Sequence, residues 1–153
     1  MKEVNSLKDV AKFHKTFGAP IEEHPIIPAQ DRCQLRVDLL QEELNELKEA
    51  IQANDLVEVA DALCDIQYVL SGAILEFGLG NKFKELFDEV QRSNMSKACQ
   101  SMDEAVATQK KYADRGVASI IREQADKFMV YRLEDEKVLK SVNYSPADLS
   151  SLL

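Results

Sequence analysis

Of the eight acidic side chains that fall within twenty-four residues, six stand at spacings that could do chemistry: Glu42, Glu43 and Glu46, then, beyond Asn54–Asp55, Glu58, Asp61 and Asp65. Carboxylates three and four apart share one side of a helix, and they repel one another unless a cation or hydrogen-bond donors compensate them. An all-oxygen ligand set suits a hard ion, Mg²⁺ or Mn²⁺, rather than zinc or iron. The chain has only His14 and His24, too few for an imidazole-rich site, and it lacks the Glu-x-x-His pairs of di-iron bundles. Mg²⁺ held by a few carboxylates keeps open positions for water and substrate phosphates, neutralises phosphate charge and acidifies bound water. A carboxylate left over serves as general base. The chemistry these residues predict is metal-assisted hydrolysis of a phosphorylated small molecule.

Two helices must position them. Residues Leu39–Gly78 read as a helical hairpin, with Asn54 and Asp55 as the break and N-cap and Gly78 as the stop. At about 100° per residue, Leu40, Leu44, Leu47 and Ile51 make one line on the first helix, bordered by Glu43 and Glu46. Glu42 and Glu49 tilt the other way. The second helix is apolar nearly all round, which predicts burial. A narrow stripe of Glu58, Asp61, Asp65, Tyr68 and Gly72 interrupts it, and Cys64 beside that stripe is expected to be a small buried residue. Arg36 lies two turns before Glu43 on nearly the same line, with Arg32 close by, so the pair is expected either to offer a cationic patch suited to a triphosphate or simply to pair with surface acids.

The net charge of −8 is mostly local, because residues 42–65 carry eight acids against Lys48. That balance excludes bare binding to a nucleic-acid duplex, which needs a basic face. Three cysteines at unrelated spacings give no disulfide framework and no zinc pattern. No signal peptide and no membrane span are expected, and a cytoplasmic setting. Helix 4–17 should turn Val4, Leu7, Val10 or Ala11, and Phe17 inward, with Phe13 in the core and His14 at the surface. A proline-rich loop follows, and the acidic helix starts near Ala29–Asp31. A further helix from Asn81, with Phe83, Leu86, Phe87 and Val90 inward, ends in RSNMSK. Residues 102–115 form a polar helix ended by Gly116. KFMVYR and KVLKSV around LEDE predict a small hairpin, and PADLSSLL a short last helix. The sequence thus predicts an all-α antiparallel helical bundle with a small C-terminal β-hairpin. It is read as one domain over 1–153, with its helical core at about 4–97 and an extension at about 98–153. So apolar a pair of helices needs more cover than one chain gives, so a homodimer or homotetramer is expected.

EELNE at 42–46 followed by EVAD at 58–61 resembles the EExxE…ExxD signature of the all-α nucleoside triphosphate pyrophosphohydrolases, a superfamily that includes MazG-like enzymes, helical dUTPases and phosphoribosyl-ATP pyrophosphohydrolases. SNMSK at 93–97 and KVLKSVNYSPADL at 137–149 resemble the tail of a MazG-like branch. The resemblance implies a MazG-like bundle that splits a nucleoside triphosphate into monophosphate and pyrophosphate with Mg²⁺, Mn²⁺ substituting. It implies Glu43 and Glu46 as the first two ligands. The second pair is Glu58 with Asp61 by the plain motif, or Asp61 with Asp65 by counting back from Gly78. Asp61 and Asp65 are the expected ligands, with Glu58 as their support and Glu42 as base or outer ligand, so Glu42 and Glu58 are the catalytic candidates. Arg36, Asn94 and Lys97 are the substrate-binding candidates. Phosphoribosyl-ATP hydrolysis and a catalytically silent helical binding module are the alternatives.

Overall fold

A computed structural model of the chain describes residue 2 and residues 4–153. The chain forms two compact units that divide at Phe83–Lys84. The first unit holds α1 (Ser6–Phe17), α2 (Gln30–Ala53) and α3 (Leu56–Glu76). α1 and α2 both pack on α3.

The α2–α3 turn is as short as the sequence suggests. Asn54 ends α2 in the left-handed region at φ 54°, which Asn tolerates better than most residues. Asp55 then caps α3, its side chain accepting from the Val57 and Glu58 amides at 2.9 and 3.2 Å. At the far end Gly78 takes φ 69°, and a Cβ there would lie 1.8 Å from the His24 carbonyl oxygen. Glycine alone admits that approach. The proline-rich loop can therefore lie against the end of α3, with the Glu22 and Ile26 amides donating to the Leu75 and Phe77 carbonyls.

Val10, Ala50, Ala62, Ile74 and Leu75 form the buried apolar set of this unit. Several expectations fail here. Val4 and Phe17 are exposed, and the burial of Phe13 and His14 is reversed: His14 is 3% exposed and Phe13 41%. Phe13 instead stacks on Phe17 and meets Tyr68 edge-on at 5.6 Å. Cys64 is exposed, not buried. Leu56, Val57, Leu63 and Leu70 of α3 and Leu44 and Ile51 of α2 also stand in the open. Within one chain, α3 is covered on part of its circumference only.

The second unit contains α4 (Phe83–Met95), α5 (Met102–Ala113) and the antiparallel pair β1 (Ser119–Gln124) and β2 (Lys127–Arg132). Leu86 is buried on α4, whereas Phe87 is exposed. β2 is the predicted KFMVYR, but its partner is SIIREQ upstream, with Ser119 opposite Arg132 and Gln124 opposite Lys127. The two-residue turn is Ala125–Asp126, both at positive φ. KVLKSV makes no strand. It runs along the other edge of β2 through an isolated bridge between Tyr131 and Val138. PADLSSLL is not helical; it closes in a turn near Leu152. The core here is Cys99, Ala105, Val130 and Leu139, flanked by Tyr112, Val117, Ile121 and Phe128.

Candidate metal centre

α2 and α3 run antiparallel, so the acids nearest their shared turn face one another. Glu43 marks the place. Its Oε2 is enclosed and has no hydrogen-bond partner. Burial pushes its carboxyl above the ordinary value, and the charges of Asp65, Glu46, Glu42 and Asp61 push it further. Four of the six sequence-predicted acids thus act on a fifth. Glu46, Glu58 and Asp61 are exposed and Asp65 is half-buried, so Glu43 alone among the predicted ligands has an enclosed oxygen. Among the described residues, no three Asp, Glu, His or Cys side chains already converge on one point as a ligand set. Nearest the turn, Glu46 and Glu58 line a groove of about 470 Å³ with Glu49 and Asp55.

An enclosed carboxylate oxygen without a donor, surrounded by like charges, is costly as it stands. A divalent cation coordinated by oxygen would remove that cost, and carboxylate oxygens are the donors that Mg²⁺ or Mn²⁺ takes.

The other end of the α2–α3 interface carries compensated charge. Glu76 is 1% exposed and accepts from Arg32 Nε at 2.5 Å, from Arg32 Nη2 at 3.2 Å, and from Arg36 Nε. Burial works to raise the Glu76 carboxyl, but the hydrogen bonds from Arg32 and Arg36 and their charges outweigh it and hold it below the ordinary value. His14 completes the group. Its Nδ1 donates to the Pro20 carbonyl at 2.7 Å, which leaves the Nε2 lone pair toward Arg36 Nη2, 3.5 Å away. Gly72 makes the room, since a Cβ there would stand 2.9 Å from Arg36 Nη1 and 3.0 Å from His14 Nε2. Arg36, predicted to face substrate, is buried and turned to Glu76.

Sequence reasoning missed Glu76 and His14, although both carried a signal. Glu76 lies four residues past Gly72 and continues the Glu58–Asp61–Asp65–Tyr68–Gly72 stripe. His14 lies on the same helical line as Leu7, Val10 and Phe17.

In the second unit, Asn94 and Lys97 do come together, with Lys97 Nζ donating to Asn94 Oδ1 at 2.7 Å. The two tail-like stretches also pack on each other. Ser93 and Tyr144 hydroxyls lie 3.1 Å apart, the Ser145 amide donates to Ser96 Oγ at 3.0 Å, and Arg92 donates to the Pro146 carbonyl at 2.9 Å.

The sequence profile of the phosphoribosyl-ATP pyrophosphohydrolase family matches residues 10–94, more than half of the 153-residue chain. The matched span includes α2, α3 and every acid of the seam. An uncharacterized protein of Acanthamoeba polyphaga mimivirus is 31% identical over 100 residues, which are 63% of this chain and 40% of that protein. The chain therefore spans about 40% of the length of the curated relative it matches. The profile match over the acid-bearing hairpin decides the assignment: the chain belongs to the phosphoribosyl-ATP pyrophosphohydrolase family, within the MazG-like superfamily.

Proposed function

We propose that the chain is a Mg²⁺-dependent pyrophosphohydrolase that converts a nucleoside triphosphate to the monophosphate and pyrophosphate. The observation that carries this reading is Glu43, with one enclosed oxygen lacking any donor and four other acids bearing on it. Glu43, Glu46, Asp61 and Asp65 would hold the ion, Mn²⁺ substituting. When bound, the ion supplies neutralisation of phosphate charge and a water of lowered pKa. Glu42 takes the proton of the attacking water as its oxygen bonds to phosphorus. The anhydride bond to the departing phosphates breaks, and pyrophosphate leaves. Glu58, its amide bound to the Asp55 cap, supports the ligands from the first turn of α3. Asn94 and Lys97 are the phosphate-binding candidates of the second unit, whereas Arg36 serves to anchor Glu76.

The family description supports a second reading, phosphoribosyl-ATP as the substrate. The apolar residues that α2 and α3 leave exposed support association into a dimer or tetramer. Incubation with a panel of nucleoside triphosphates and phosphoribosyl-ATP, with Mg²⁺, separates the substrates by the rate of pyrophosphate release. Orthophosphate as the released product would overturn the proposed cut, and no release with any substrate would favour a catalytically silent module.

A further inference from the structure

The second unit has a pocket of about 380 Å³ whose charged lining is entirely cationic: Lys97, Arg132, Lys137 and Lys140, with Tyr112 as its aromatic wall. This concentration of charge is not a matter of composition. Residues 84–153 hold eleven Lys and Arg against twelve Asp and Glu, yet no carboxylate lines the pocket. Like cations held together repel one another, so the arrangement calls for an anion.

Backbone geometry fixes the segment that carries two of the lysines. The Arg132 amide donates to the Lys137 carbonyl at 2.9 Å and the Leu139 amide to the Val130 carbonyl at 2.7 Å, which ties residues 137–139 to the edge of β2. Buried Leu139 then leaves Lys137 and Lys140 on the exposed side. The Lys140 amide donates to the Tyr112 hydroxyl at 3.2 Å, and Lys140 Nζ stands 4.4 Å from the centre of the Tyr144 ring. Lys97 and Lys140 both act on the Tyr144 hydroxyl, so they share one neighbourhood. Among the described residues none of the three lysines makes an ion pair, and only Lys137 feels a carboxylate, Asp135, which is itself bonded to Arg132. Arg132 gives Nε and Nη2 to Asp135 and keeps Nη1 uncommitted.

We propose that this pocket binds a condensed phosphate chain, the di- or triphosphate group of a free polyphosphate or of a nucleotide. Several separated cations need an anion whose charges are also separated, which a single-centred anion such as sulfate does not provide. The pocket shares Lys97 with the substrate contacts proposed above but depends on neither the metal nor the acids of α2 and α3.

The test is calorimetric titration of the full chain with sodium tripolyphosphate, in excess chelator and at about 0.15 M salt. Saturable binding at one site per chain is expected, much tighter than sulfate at matched ionic strength. The double variant Lys137→Gln/Lys140→Gln should weaken it by roughly tenfold or more. Lys110→Gln on exposed α5, and Asp61→Asn in the acid seam, should leave it within about twofold. A nucleoside triphosphate should displace tripolyphosphate and the nucleoside alone should not; displacement by the nucleoside would overturn the reading. So would binding no tighter than sulfate, or undiminished binding by the double variant. Because no metal is present, loss of hydrolysis with intact tripolyphosphate binding would count against the acid site alone.

Discussion

Asp65 of α3 bears more strongly than any other charge on Glu43 of α2: after burial, it is the largest influence raising the Glu43 carboxyl. Farther along the same two helices, Arg36 and Glu76 neutralise each other in the interior. The interface therefore has one end that supplies its own counter-charge and one end that does not. The second end is where the proposed divalent ion would supply the missing counter-charge.

Asp61→Asn should lower pyrophosphate release at least about a hundredfold while leaving the melting temperature unchanged or higher, since it removes one of the charges opposing Glu43. Assay and thermal melt are read on the same preparation. Turnover at the native rate would end the metal assignment.

Glu43 also sets a pH dependence. Its folded-state carboxyl titrates above the ordinary 4.5, so between that value and the raised one the folded chain holds a proton that the unfolded chain has lost. Its effect is absent below the unfolded pKa, and stability falls as pH climbs through the folded pKa. In chelator, Glu43→Gln should flatten this decline in melting temperature above pH 4.5 relative to the native chain. Added Mg²⁺ or Mn²⁺ near neutrality should raise the native melting temperature more than that of the variant. Identical pH profiles for both proteins would contradict the proposed burial of charge.

Glu76→Gln leaves two guanidinium groups facing a neutral amide and should cost about 3 kcal/mol or more in urea unfolding. Gly72→Ala should cost roughly 1–3 kcal/mol, because the new methyl meets Arg36 and His14 while Glu76 and Pro20 hold both in place. A neutral result for Gly72→Ala would mean that the pair shifts aside freely.

Light scattering should report a dimer or tetramer, and Leu63→Glu should move the mass toward the monomer. Leu63 is 51% exposed on the same helix as Leu56, Val57 and Leu70. A native monomer at micromolar concentration would count against association through this face.

The hairpin of acidic helices was legible because its signals are local: an αL-tolerant Asn54, a capping Asp55, a stopping Gly78. The failures share a cause, namely dependence on partners distant in sequence. β2 was visible, but Ala125–Asp126 offers none of the Asn-Gly chemistry that marks a tight turn, so its partner was sought downstream. Arg36 sits on the predicted line, yet its direction is set by Glu76, forty residues later. Periodicity marks Leu63 and Leu70 as apolar positions of α3, but it does not distinguish cover by the same chain from cover by another.

The two-residue link at Asn54–Asp55 has no slack. One residue added or removed between Glu46 and Asp61 would swing every later carboxylate by roughly 100° about its axis and past its counterparts on α2. Lineages carrying this hairpin should therefore accept many substitutions there and almost no change in length, with indels collecting instead in the strap between Gly18 and Ala29.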